Sequence, residues 1–115
     1  MPSEFVVNSR ADGRAITLEV SGQLDLLSSP VLERALADAD AELVIVDLRG
    51  LEFMDSTGLH VLVQAHQRVH DAGRRLALVR ASPNVQRLFD LTGLSDALTI
   101  VDSPGDALQV GQAPS

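Results

Sequence analysis

The chain of 115 residues contains no cysteine, no lysine, no tyrosine and no tryptophan. Without cysteine it can form no disulfide, offer no thiolate nucleophile and bind no metal through sulfur, and its fold needs no oxidising compartment. Without lysine it has neither the phosphate-loop ammonium of GxxxxGK[ST] nor a Schiff-base amine. Three phenylalanines are its whole aromatic content (3% of FWY), so the core must come from Leu, Val, Ile and Ala. Stacking platforms for bases or sugars are not expected. No stretch approaches the roughly 18 apolar residues of a membrane span. Met1-Pro2-Ser3-Glu4-Phe5 lacks the basic segment and apolar run of a signal peptide, and a soluble cytoplasmic protein is the expectation.

What is present suits one domain. The 45% hydrophobic content argues against global disorder, and a chain of this length can bury about 65% of its extended surface, enough for a single core. Nine basic residues, all arginine, stand against sixteen acidic ones for a net charge of -7. That balance disfavours nucleic acid and anionic membrane as partners and is compatible with a basic protein partner.

The patterning alternates between strands and helices. Phe5-Val6-Val7, a turn at Ala11-Asp12-Gly13-Arg14, and the alternation Ile16, Leu18, Val20 predict an antiparallel hairpin. Gly22-Gln23-Leu24-Asp25 then crosses to a helix capped by Ser29, with Pro30 at its first position and Val31, Leu32, Ala35, Leu36 and Ala39 as its packed face. Leu43-Val44-Ile45-Val46-Asp47-Leu48 predicts a central strand covered on both faces, with Gly50 to Met54 as its exit loop. A helix starts at Asp55-Ser56 and ends at Gly73, with Leu59, Val61, Leu62, Val63, Ala65, Val69 and Ala72 on its apolar arc.

Leu76 to Val79 is a further strand. Ser82-Pro83 opens a third helix, packed through Val85, Leu88, Phe89 and Leu91 and closed at Gly93, where Leu94 should meet Phe89. Leu98, Ile100 and Val101 form a last strand, and Ser103-Pro104 can start a short fourth helix. The expected architecture is an α/β mixed sheet of four to five strands with one antiparallel edge, covered by three to four helices. The domain is expected over 1–108, with 109–115 as a flexible tail.

Enzyme chemistry finds little support. GxGxxG and GxSxG are absent. His66 and His70 are four apart on a predicted helix, but no HExxH arrangement accompanies them, and they and His60 read as surface or boundary histidines rather than metal ligands. Asp25, Asp47 and Asp55 could converge near strand ends, yet no lysine is present to neutralise a phosphoryl group there. No catalytic residue, cofactor or metal is expected.

The remaining feature is the corner Asp55-Ser56-Thr57-Gly58-Leu59. A helix cap alone would explain it, with Asp55 or Ser56 satisfying a free N–H and Gly58 allowing close packing. A functional reading adds a phosphorylatable hydroxyl at Ser56 or Thr57. Its phosphate would be tolerated by the helix N-terminus while repelling a partner through its charge and that of Asp25 and Asp55.

Together, Gly22-Gln23-Leu24-Asp25, Val44-Ile45-Val46-Asp47-Leu48, Asp55-Ser56-Thr57-Gly58-Leu59 and Asn84…Leu88-Phe89…Gly93-Leu94 resemble the STAS domains, specifically the bacterial anti-anti-sigma factors, or anti-sigma factor antagonists. The resemblance runs from Phe5 to Leu108. It implies a non-catalytic protein that binds an anti-sigma factor with serine kinase activity while unmodified. Phosphorylation on Ser56 would release it, and a serine phosphatase would reset it. It also implies Asp25, Asp55, Ser56, Thr57, Gly58 and His60 as partner-contact positions. Gln23 stands where the family commonly has Glu, and Thr57 where it commonly has Ser. The alternative within the same family is a non-switched STAS module that scaffolds another signalling complex.

Overall fold

The computed structural model describes residues 4–110. Ten elements follow one another: β1 (Val6–Asp12), β2 (Ala15–Leu24), α1 (Ser29–Asp38), β3 (Leu43–Met54), α2 (Ser56–Asp71), β4 (Arg75–Val79), α3 (Pro83–Thr92), a 3-10 turn (Leu94–Ala97), β5 (Ile100–Val101) and α4 (Pro104–Leu108). The strands form one five-stranded sheet in the order β1-β2-β3-β4-β5. Only β1 and β2 are antiparallel; the other neighbours are parallel. The mixed sheet with one antiparallel edge is therefore as the alternation of strands and helices implies.

Local chemistry explains most boundaries. Gly13 takes φ +60° in the two-residue turn between β1 and β2, a sign that suits the twist of a tight hairpin and that glycine adopts without steric cost. Prolines open α1, α3 and α4, where a missing N–H costs nothing. In α4, Ser103 Oγ accepts from Asp106 N at 3.1 Å. The expected tail begins inside this cap, since Gln109 N and Val110 N donate to Asp106 O and Ala107 O; residues 111–115 lie outside the described residues.

Alternation along the strands divides the core. Leu18, Val20, Val44, Val46, Leu48 and Leu78 face α1, α2 and α3, with Leu62 and Phe89 buried against them. Ala15, Leu43, Ile45, Ala77 and Val79 face the other side, where Ala107 of the short α4 covers them. Leu94 packs against the same cluster as Phe89, as the closure of α3 at a left-handed Gly93 (φ 72°) requires.

Five expectations need correction. Gly50 to Met54 is not an exit loop but the second half of β3, paired with β2 through Ser21↔Gly50, Gly22↔Leu51, Gln23↔Phe53 and Leu24↔Met54. Two register irregularities, between Glu19 and Ser21 and between Gly22 and Gln23, break the alternation by which a strand is recognised. Gly22-Gln23-Leu24 is likewise strand. Ser29 does not cap α1: Ser28 holds that position, and the buried Ser29 hydroxyl donates to Leu26 O at 3.3 Å. Val31 and Leu91, assigned to packed faces, are 50% and 74% exposed, because each lies at the solvent border of its helix. Leu98 is buried but precedes β5 rather than joining it.

Asp47 sits on the α4 side of β3 and is only 5% exposed. Its carboxylate receives Arg49 Nε at 3.0 Å, Arg49 Nη2 at 2.8 Å and Arg49 N at 3.1 Å. Burial pushes the Asp47 carboxyl up, but these hydrogen bonds and the guanidinium charge outweigh it and hold the group below its usual range. A depressed carboxyl stabilises the fold above its unfolded value, and that contribution disappears as pH falls through the folded value. The stability gap between the native protein and Asp47→Asn should accordingly shrink below about pH 4, as measured by urea unfolding across pH.

Candidate functional site

The corner is built on two adjacent strand ends. Leu24, the last residue of β2, pairs with Met54, the last residue of β3, and Asp55 N donates to Leu24 O at 3.1 Å. The loops that follow therefore start side by side, about 4.8 Å apart. One begins with Asp25 and leads to α1; the other is Asp55 alone, leading directly into α2.

Each aspartate holds its own turn. Asp55 is the N-cap of α2, and its Oδ1 accepts from Thr57 N at 2.9 Å and Gly58 N at 3.2 Å. Asp25 Oδ1 accepts from Leu27 N, Ser28 N and Ser28 Oγ, each at 3.1 Å. Ser28 Oγ accepts from Asp25 N at 2.9 Å, and its single proton is shared between Asp25 Oδ1 and Gln23 O, the latter at 2.8 Å. Thus Asp25 rigidifies the β2–α1 loop and the two carboxylates stand at neighbouring strand ends. Asp47 does not join them, because it is committed to Arg49 on the opposite side of the sheet. Among the described residues no group of three or more His, Asp or Glu is placed to hold a metal ion.

Gly58 is where α2 meets the strand ends. A Cβ there would lie 2.7 Å from Leu24 Cγ and 2.8 Å from Met54 Cγ, so only glycine lets the helix approach this closely. That buried contact fixes the first turn and leaves Ser56 exposed, Thr57 half-buried and His60 exposed. Replacing Asp55 with Ala should cost about 1–2 kcal/mol in urea unfolding, while Asp55→Asn, which also caps well, should recover most of it.

The cap changes the expected fate of a phosphate on Ser56. Because Asp55 already engages the N–H groups of Thr57 and Gly58 and Leu59 N donates to Asp55 O at 3.2 Å, the helix end has few donors left. A phosphate would extend into solvent beside two carboxylates rather than dock onto backbone amides.

Apolar side chains surround this polar point. Leu26 and Leu27, next to Asp25, are 69% and 90% exposed, and Phe53 is 48% exposed. Phe53, Met54, Leu88 and Leu91 line a shallow cleft of about 230 Å³ between the end of β3 and α3. Leu26, Leu27 and Phe53 did not stand out in the sequence, and Leu91 was assigned to a packed helix face. All four look like ordinary core residues by type, and their exposure is decided by the fold.

The STAS domain model matches residues 6–107. The chain belongs to the STAS-domain family. The anti-sigma-B factor antagonist of Bacillus subtilis (strain 168) is 37% identical to this STAS domain over 97 residues, covering 82% of the chain and 88% of the relative. An anti-sigma factor antagonist from Mycobacterium paratuberculosis has the same fold, with a TM-score of 0.86 at 24% identity and 96% coverage of both chains. SpoIIAA of Bacillus in its phosphorylated form superposes with a TM-score of 0.68 at 18% identity, covering 92% of this chain and 97% of that one. Its unphosphorylated form gives 0.69 at 19% identity, with 92% and 94% covered. The STAS domain described here is thus a member of the anti-sigma-factor-antagonist family, whose members are regulatory rather than catalytic. No helix among the described residues is long and apolar enough to cross a membrane.

Proposed function

We propose that this STAS domain is a phosphorylation-switched antagonist of an anti-sigma factor. Unmodified, it binds an anti-sigma factor that is also a serine kinase, and so frees a sigma factor for transcription. The kinase transfers the γ-phosphoryl group of ATP to Ser56 Oγ, ADP leaves, and the modified protein is released. A serine phosphatase hydrolyses the ester and returns it to the binding state.

The observation that carries this reading is the placement of Ser56. Its side chain is exposed on the first residue of α2, on a first turn held rigid by Asp55 and Gly58. Exposure gives a kinase access, and rigidity gives a partner a fixed surface to recognise. The flanking Leu26, Leu27 and Phe53 supply apolar contact area, as the centre of a protein interface needs. Desolvating a phosphate among those side chains and two carboxylates would be costly. The relatives support the reading too, since their names include antagonists of anti-sigma-B and anti-sigma F factors and one neighbour of the same fold is a phosphorylated form. Asp25, Thr57 and His60 are assigned to the same contact surface, on either side of the hydroxyl.

The test is to mix the full chain with a candidate kinase-type anti-sigma factor, add ATP and Mg²⁺, and map phosphosites by mass spectrometry. One phosphate on Ser56 together with dissociation of the complex is the expected result. Modification elsewhere, or a complex that persists after Ser56 is fully modified, would overturn the proposal.

A further inference from the structure

The far end of α2 carries a cluster that the switch leaves unused. Ser56 and His70 are separated by 14 residues of helix, about 21 Å. There, His66, His70, Arg74, Arg75 and Thr99 line a cavity of about 170 Å³. The imidazoles of His66 and His70 lie parallel, with 5° between their planes and 6.4 Å between ring centres. Thr99 Oγ1 is 3.5 Å from His66 Nε2. Arg74 is pinned through one terminal nitrogen to Ala39 O at 3.2 Å and Ala41 O at 3.1 Å, which leaves its other donors uncommitted.

The charge here runs against that of the rest of the chain. In a protein of net charge -7, no carboxylate among the described residues lines this cavity. Arg10, Arg14, Arg49 and Arg80 each pair with an acidic side chain, whereas Arg74 and Arg75 have no such partner among the described residues. Two acidic groups close to it in the chain or in an adjoining recess are engaged elsewhere. On α2, Asp71 accepts from Gln67 Nε2 at 2.8 Å. Glu42, which shares an adjacent recess with Arg75, lies 3.8 Å from Arg14. The last carbonyls of α2 are also satisfied: Ala72 N donates to Arg68 O, Gly73 N to His70 O and Arg74 N to Val69 O. They present little free negative charge to the cavity.

The geometry points to a binding site for a small oxyanion of the phosphate class, held by His66, His70, Arg74 and Arg75 with Thr99 as a further donor. Two guanidiniums without a carboxylate exclude a metal cation as the preferred occupant. The volume lies well below the roughly 300–1,000 Å³ of pockets for larger organic ligands, so the ligand is free phosphate or the terminal phosphate of a small metabolite. Burial, and secondarily the neighbouring His70, hold the His66 imidazole below the ordinary histidine range. A bound anion beside it would raise it.

The test is an NMR titration of the full chain labelled with ¹⁵N-histidine. Sodium phosphate is added in one arm and glycerol phosphate in another, with sodium chloride at matched ionic strength as control. Saturable shifts of the His66 and His70 ring nitrogens are expected in the phosphate arms. Arg75→Gln should weaken binding at least about fivefold by removing one charged donor without unfolding the protein, because Arg75 is exposed. The arm that saturates at the lower concentration identifies free phosphate or a phosphomonoester. Shifts that chloride reproduces, or that Arg75→Gln leaves unchanged, would refute the site. These readouts do not depend on Ser56, so the two proposals fail separately.

Discussion

Ser56→Asp is expected to bind its anti-sigma factor roughly 100-fold more weakly than the native protein, a loss of about 3 kcal/mol. The argument is electrostatic. The new carboxylate would stand on the first turn of α2 next to Asp55, with Asp25 at the neighbouring strand end. The two N–H groups best able to neutralise it are already bonded to Asp55. An approaching partner would have to strip water from this charge while covering Leu26, Leu27 and Phe53. Ser56→Ala should bind like the native chain and resist kinase-driven release. Added salt should restore part of the lost affinity of Ser56→Asp, since exposed charges are screened within about 10 Å at 0.1 M. Calorimetric titration against one anti-sigma factor measures all three, and equal affinities for the Ser, Ala and Asp proteins would end the switch hypothesis.

Phe89→Ala should have the largest effect on stability, about 3–5 kcal/mol. Phe89 is the largest of the fully buried side chains, at 0% exposure, and anchors α3 to the sheet face shared with Leu48 and Leu78. Truncation removes its transfer free energy and leaves a cavity that neighbouring strands and α2 cannot readily fill. Domains of this kind have only about 5–15 kcal/mol in total, so the variant should be near unfolding at room temperature. Phe53→Ala is the control: half exposed at the cleft beside α3, it should change stability by no more than about 1 kcal/mol yet weaken partner binding. Urea midpoints that rank the two variants in the opposite order would show that the core has been assigned to the wrong residues.

Much of this architecture was legible because local chemistry and burial agree. Pro30, Pro83 and Pro104 mark helix starts, Gly13 and Gly93 mark positive-φ turns, and Leu43 to Leu48 is as continuously buried as its composition implies. The rest depended on tertiary facts that periodicity does not carry. The second half of β3 was hidden because its pairing with β2 slips twice, so Leu51 and Met54 are buried while Glu52 and Phe53 are not. Ser28 and Ser29 are equally good caps by type, and only the hydrogen bonds of Asp25 select Ser28. At the corner, Asp55 and Ser56 were visible as a cap followed by a hydroxyl. The flanking Leu26, Leu27, Phe53 and Leu91 were not, because exposure of an apolar residue is decided by its neighbours. The side on which Asp47 lies was open for the same reason: a strand aspartate can face either side, and the register turns this one towards Arg49.

The hydroxyl of Ser56 rides on a junction where two paired strand termini, a capping carboxylate and a side-chain-free helix position lock together. On the proposed reading, esterification there would find no slack to exploit, and would act as a label on a constant frame rather than as a change of shape. Backbone amide exchange in β2, β3 and α2 should be indistinguishable before and after modification, and a reader of this signal must sense charge alone.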